Sequence, residues 1–166
     1  MSETARSLAG DPQALAAWER RKPDWKSLLH DWPFWADPRQ LPPPGDDWRV
    51  WLMLAGRGFG KTRAGAEWVR ALAEADGSLR IALVGATLGE VRAVMIEGAS
   101  GILATTPAGA QRPHWEPTRG RLKWSNGAQA FAYSGENPEG LRGPQFHFAW
   151  CDEIAKWAYP GAAWTI

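Results

Sequence analysis

Two short stretches combine residue types whose spacing could do chemistry. In Leu54-Ala55-Gly56-Arg57-Gly58-Phe59-Gly60-Lys61-Thr62, a lysine and a hydroxyl directly follow glycines at positions 56, 58 and 60. A glycine-rich turn leading into a helix presents inward-pointing backbone N–H groups and the positive end of a helix dipole, both suited to phosphate. In such a cradle Lys61 reaches the β- and γ-phosphates and the Thr62 hydroxyl sits on a magnesium ion. The usual pattern is G-x-x-x-x-G-K-[ST], and Ala55 stands where its first glycine would be. The second stretch, Phe146 to Glu153, is an apolar run ending in two acids. A carboxylate at the tip of a buried strand supports Mg²⁺ in phosphate-cleaving ATPases, a role that suits Asp152. Glu153 points elsewhere and is placed to orient or deprotonate water. Alone, Asp-Glu after an apolar run is a solvated strand end. Roughly 90 residues after a phosphate loop, it reads as the other half of the site.

Three further residue types bear on the same chemistry. Arg57, inside the loop, could stabilise transition-state charge on a γ-phosphate. It could equally serve a neighbouring subunit's site, meet a sensor carboxylate, or be solvated. Gln40 lies just upstream, and its amide both donates and accepts, as reading an adenine edge requires. A solvated loop glutamine is the other reading. His30, His114 and His147 show no metal-ligand spacing and read as structural.

Stepping outward, the loop needs a strand before it and a helix after it. Trp48 to Ala55 reads as a first core strand. Thr62 to Asp76 reads as a helix, with Ala64, Trp68, Ala71, Leu72 and Ala75 near helical spacing and Gly77 as its stop. Arg80 to Ala86 is a continuous apolar run of the kind buried in parallel sheets. Thr87 caps a second helix from Leu88 to about Ala104, with Glu90 at the capping-box position. Strand, helix, strand, helix predicts an α/β fold with a mostly parallel central sheet flanked by helices. Arg121–Trp124 and Ala128–Tyr133 flank Ser125-Asn126-Gly127, which predicts an added β-hairpin on one sheet edge. A polar, glycine-rich loop from Ser134 to Gln145 leads to the strand Phe146–Cys151.

Residues 1–36 read as a tryptophan-rich arm and 37–166 as the main domain. In the arm, Asp11-Pro12 caps a short helix from Gln13 to Lys22. Trp25, Leu28, Leu29, Trp32, Phe34 and Trp35 then form an apolar cluster that packs on the domain or on another subunit. Asp37 to Gly45 is a proline-stiffened linker.

With 166 residues, 45% hydrophobic and 22% charged, the chain has enough apolar content for one sizeable core. A net charge of +1 advertises no general basic field, so nucleic-acid binding would need a local patch. Twelve tryptophans require burial, stacking partners or an interface. A single cysteine, Cys151, excludes a disulfide framework and a cysteine-rich zinc site. No signal-peptide core opens the sequence, and no window approaches the roughly 20 apolar residues that cross a bilayer. The expectation is a cytoplasmic protein with no membrane partner.

Taken together, three segments resemble the ATPase domain of the large terminase subunit, the DNA-packaging motor of tailed bacteriophages with relatives in gene transfer agents. They are Asp47 to Arg70, Tyr133 to Gly143, and Trp150-Cys151-Asp152-Glu153-Ile154-Ala155-Lys156-Trp157. The resemblance covers most of the chain from Trp35 onward. It implies a P-loop NTPase fold of the RecA-like, additional-strand type, with ATP and Mg²⁺ as cofactors. In that family the phosphate loop often departs from standard spacing and carries an arginine, as Arg57 does here. Carried over by position, Gly56, Gly58, Phe59, Gly60, Lys61, Thr62 and Arg63 line the nucleotide, with Gln40 at the adenine. Thr62 and Asp152 hold Mg²⁺, and Glu153 is the catalytic base, aided by Lys61 and Arg57. The implied partners are double-stranded DNA through the full-length protein, a portal protein, the small terminase subunit and further copies in a ring. A coupling motif and a nuclease domain are expected beyond Ile166, so the chain reads as an N-terminal piece. A helicase-type ATPase is the second reading, since Asp152-Glu153-Ile154-Ala155 begins like an Asp-Glu box, although the third acid is lacking. A non-catalytic nucleotide-binding module docking on a portal is the third. No Asn-Lys-x-Asp motif supports a GTPase.

Overall fold

The computed structural model describes residues 10–13, 16, 30–45, 47–107 and 112–164. They fall into two units, Met1–Ala64 and Gly65–Ile166, and each is built differently. Most of the expected helix Gln13–Lys22, together with Trp25, Leu28 and Leu29 of the apolar cluster, lies outside the described residues. Within them, Asp11 Oδ1 accepts from the Gln13 N–H at 2.8 Å, the bond expected of a cap.

In the first unit a single helical turn, Trp32–Trp35 (α1), carries Phe34 and Trp35 edge to face with ring centroids 5.1 Å apart. A 3₁₀ turn follows at Pro38–Gln40, capped reciprocally. The Asp37 carboxylate accepts from the Arg39 N–H at 3.0 Å, and the Gln40 side chain accepts from the Asp37 N–H at 2.8 Å. Trp48 to Ala55, expected as the first core strand, is a correction. The segment runs without strand partners among the described residues, and Val50, Leu52 and Leu54 point outward, Leu54 being 86% exposed. An alternating apolar pattern states which residues need burial. A strand exists only by its hydrogen-bonded neighbours, and the sheet's ladder is made by other segments.

The helix Lys61–Ala75 (α2) begins in the first unit and continues into the second. Ala66, Val69 and Ala73 recur at helical spacing on its buried face and join the main core. A Cβ on Gly65 would lie 2.3 Å from the Trp150 ring, so this glycine is what lets helix and indole touch. Trp68 meets Phe148 edge to face at 5.8 Å. The fully buried Glu67 is held by Arg70 at 2.6 Å, which keeps a carboxylate in the interior paired.

The second unit is one five-stranded sheet, Arg80–Gly85 (β1), His114–Glu116 (β2), Arg121–Lys123 (β3), Gln129–Ser134 (β4) and Phe148–Cys151 (β5), in the order β2-β3-β4-β1-β5. β1 pairs parallel with both β4 and β5, while β2, β3 and β4 pair antiparallel. Ile81 to Val84 are all buried, as a central parallel strand covered on both faces requires. The turn between β3 and β4 is the expected Asn-Gly turn, with Gly127 at φ 110°. Asn126 locks it, donating to the Ala73 carbonyl at 2.7 Å and accepting from the Ala128 N–H at 3.2 Å. The hairpin is in fact three strands. β2, at the sheet edge, is bounded by Pro113 and Pro117, positions where a missing N–H costs the ladder nothing.

Thr87 caps the next helix as expected, its Oγ1 accepting from the Glu90 N–H at 3.1 Å. The helix is shorter than predicted. Leu88–Glu90 (α3) widens into a π-helical stretch, Val91–Ile96, and stops. Gly98 then sits so close to the Val94 carbonyl that a Cβ would lie 2.6 Å from it. The chain restarts as Ile102–Thr105 (α4). One sheet face packs under these helices through Ile81, Leu83, Leu122, Ala130 and Trp150. The other carries a smaller core of Ala82, Val84, Tyr133, Phe146, Cys151 and Trp157. The last described helix is Pro160–Trp164 (α5).

Candidate functional site

The glycine loop enters α2 at the expected place, one residue earlier than predicted. Gly58 and Gly60 have φ of 81° and 88°, backbone that only glycine adopts without strain, so both glycines are required by the turn itself. Lys61, the first helical residue, turns its ammonium back onto the loop, donating to the Ala55 carbonyl at 2.7 Å and the Gly56 carbonyl at 3.1 Å. Thr62 is half-buried at the second helical position, while Gly56, Arg57 and Gly58 are exposed. Arg63 places its guanidinium over the Trp32 ring at 5.7 Å.

Gln40 is tied to this loop. Its Nε2 donates to the Phe59 carbonyl and its Oε1 accepts from the Asp37 N–H. A Cβ on Gly60 would lie 2.7 Å from that Nε2, so Gln40 packs directly on the loop. Its amide thus has one N–H and one lone pair beyond these bonds. Arg39, which sequence reading passed over, lies 5.5 Å over the Phe59 ring and pairs with Asp37 at 2.9 Å. The hydrogen bonds from Arg39 hold the Asp37 carboxyl well below the usual carboxylate range. A recess of about 400 Å³ opens here, lined by Arg39, Phe59, Gly56 and Leu52 to Ala55.

In the second unit, the carboxyl ends of β1, β4 and β5 gather a separate set of groups. Asp152 follows β5 directly, its N–H donating to the Val84 carbonyl at 2.9 Å and its carbonyl accepting from the Trp157 indole at 3.0 Å. Ser134 Oγ donates to the Ala86 carbonyl at 2.9 Å and accepts from the Glu136 N–H at 3.1 Å, which joins the ends of β4 and β1. Glu153 has φ 47°, and no other described residue except glycine has positive φ. Left-handed backbone in a non-glycine residue costs on the order of 1 to 2 kcal/mol, and such strain gathers at functional sites. The Glu153 side chain forms an ion pair with Lys156, three residues on. That contact raises the Lys156 ammonium pKa, with the charges of Glu90 and Asp152 adding to it. Lys156 sits three residues after Glu153 in the sequence, and that spacing was the available signal for the pair. Cys151, one residue before Asp152, is pushed up to about 11 by burial and is chemically quiet.

Thus the structure brings Gln40, Phe59, Gly60 and Lys61 into one loop assembly, and gathers Asp152, Glu153, Lys156 and Glu90 at one sheet end. Among the described residues no cluster of three or more His, Cys, Asp or Glu is arranged to hold a metal ion. None of the described helices is long and apolar enough to cross a membrane.

A family model described as the terminase large subunit, T4-like virus type, N-terminal, matches residues 52–166. The comparisons with curated proteins and with solved structures gave no match.

Proposed function

The chain belongs to the large terminase subunit family, whose role is DNA packaging, and from that premise we propose that it is the ATP-hydrolysing part of a packaging motor. Within a full-length protein it drives double-stranded DNA into a phage or phage-like procapsid. It acts as one member of a ring, with portal protein and small terminase subunit as partners. The fold proposed is the RecA-like P-loop type.

The observation that carries this reading is the loop itself. Two left-handed glycines deliver the chain into a helix whose first residues are Lys61 and Thr62. That arrangement suits a triphosphate, because helix N-terminal N–H groups and an ammonium converge on one anion. On this reading Lys61 would give up its bonds to the Ala55 and Gly56 carbonyls for a phosphate. The hydroxyl of Thr62 and the carboxylate of Asp152 are hard oxygen donors of the kind Mg²⁺ prefers, and these two residues would hold it. When bound, the ion neutralises charge that builds between the β- and γ-phosphates. Glu153, exposed at the end of β5, accepts a proton from the attacking water or orients it. Arg57, exposed in the loop, adds positive charge near the γ-phosphate.

Two variants test the reading. Lys61→Ala is expected to abolish ATP binding measured by calorimetry or a fluorescent nucleotide. Glu153→Gln is expected to keep that binding and lose turnover by a factor of about 10² to 10⁴. Unchanged nucleotide affinity in Lys61→Ala removes the cradle, and parental turnover in Glu153→Gln removes the base.

A further inference from the structure

The register of the sheet aligns a transverse row of polar and basic residues on one face. His114 of β2 stands opposite Lys123 of β3, Lys123 opposite Gln129 of β4, and Gln129 opposite Arg80 of β1. His147 continues the row, its N–H donating to the Arg80 carbonyl at 2.9 Å and its Nδ1 accepting from the Arg80 N–H at 3.0 Å. His114, Lys123, Arg80 and His147 are exposed and Gln129 is half-buried. The carboxyl half of this same face is covered by the smaller core around Val84, Tyr133 and Trp157, so the row occupies its amino-terminal half.

The acids near the row are already engaged. Glu116, one step along the face, is held by Arg121 at 2.8 Å and lies 3.6 Å from the exposed Arg119. Asp76, whose charge reaches His147, accepts from the Ser78 N–H and hydroxyl at 2.8 and 2.7 Å. Strands lie about 4.8 Å apart, so β2 to β1 spans roughly 14 Å. That is about four nucleotide rises along one strand of a duplex. Every side chain in the row is of a type that hydrogen-bonds phosphate.

We propose that this row is a contact surface for the phosphate backbone of double-stranded DNA. The proposal rests on the DNA-handling reading above and assigns it a face. Duplex is favoured over single strands because the neighbouring Phe131 ring is covered by the Arg80 guanidinium at 4.5 Å, so that face of the ring is not open to a stacking base. An acidic polypeptide is the competing occupant, and the experiment separates the two.

Binding of the full 166-residue chain to a labelled duplex is followed by fluorescence anisotropy across a salt series. The parent protein is expected to bind with a salt slope that falls by about 1 for each phosphate-contacting residue removed. Arg80→Gln with Lys123→Gln therefore lowers the slope by about 2 and weakens affinity at least about tenfold at low salt, equally for unrelated sequences. Lys123→Gln alone changes one exposed residue and gives half the slope change if the double variant folds poorly. Arg92→Gln, which removes a cation from the π-helical stretch, leaves slope and affinity at parental values. No binding by the parent, or a double variant with parental slope and affinity, overturns the proposal. Tighter binding of a single-stranded oligonucleotide overturns the choice of duplex. Displacement of the duplex by polyglutamate at matched charge overturns DNA as the occupant. ATP affinity and turnover are measured in parallel. Lys61→Ala that keeps nucleotide binding defeats the motor reading and leaves the DNA result standing, and the converse holds for the row.

Discussion

Glu153 joins a conformational cost to the role proposed for it as catalytic base. Its left-handed backbone lets the chain leave β5 sharply and turn into the 3₁₀ segment Ile154–Lys156, with the Lys156 N–H donating to the Glu153 carbonyl at 2.8 Å. Glycine adopts this conformation without a Cβ penalty, so Glu153→Gly is expected to raise the unfolding free energy by about 1 kcal/mol in urea titration while losing turnover. A variant less stable than the parent would mean that the Lys156 ion pair outweighs the strain. That outcome is not expected, because an exposed pair contributes about 0 to 1 kcal/mol. On the proposed role, the position trades stability for function in a measurable way. Gln40 holds the same lesson in another form. Sequence reading left its amide either on an adenine edge or in solvent, whereas the fold engages it with Asp37 and Phe59, so it shapes the loop whatever else it meets.

Elements read from local patterns hold where the partner is also local. α2 is legible from its spacing and its glycine stop, β1 from an unbroken apolar run, and the β3–β4 turn from Asn126-Gly127, because each depends on neighbours in sequence or on burial alone. Trp48 to Ala55 carries an equally clear strand pattern, yet pairing is a property of distant segments that no local period encodes. The π-helical widening at Val91–Ile96 was equally hidden, since its wider bond, the Glu97 N–H donating to the Arg92 carbonyl at 2.8 Å, leaves no distinct mark in the apolar spacing. The contrast can be measured. Leu54→Ser is expected to change the unfolding free energy by no more than about 0.5 kcal/mol, since its side chain is already in water. Leu83→Ala, in the middle of β1, is expected to cost about 2 to 5 kcal/mol. A large loss in Leu54→Ser would show that the segment is buried as a strand in solution. As for the site, its residue types were legible and its internal ties were not. Arg39 over Phe59 and the pairing of Glu153 with Lys156 both depend on backbone turns that spacing suggests only weakly.

Across the whole molecule, acid and alkali act on different groups, and the directions follow from their pKa values. Asp37, Asp76 and Glu116 are all lowered by hydrogen bonds, chiefly from Arg39, Ser78 and Arg121 respectively. Their contributions are present above the unfolded carboxylate range and fade as pH falls through the folded values. Asp76 is exposed and Asp37 and Glu116 are half-buried at the surface, where solvent and salt still reach them and keep each effect small. On the alkaline side Cys151 is raised by burial from 9.0 to about 11. Its thiol stays neutral in the fold while the unfolded chain ionises it, so stability is full below about pH 9 and is lost as pH rises to about 11. The difference is worth on the order of 2 kcal/mol. Lys156 is raised by its bond to Glu153 and shifts stability in the same direction, but that pair is exposed and screened by salt. Urea midpoints measured at pH 8 and pH 10.5 in high salt therefore isolate the thiol. The parent is expected to lose stability between these pH values, and Cys151→Ala is expected to lose markedly less. An equal loss in both proteins would place the alkaline sensitivity elsewhere, with Tyr133, also raised by burial, as the next group to replace.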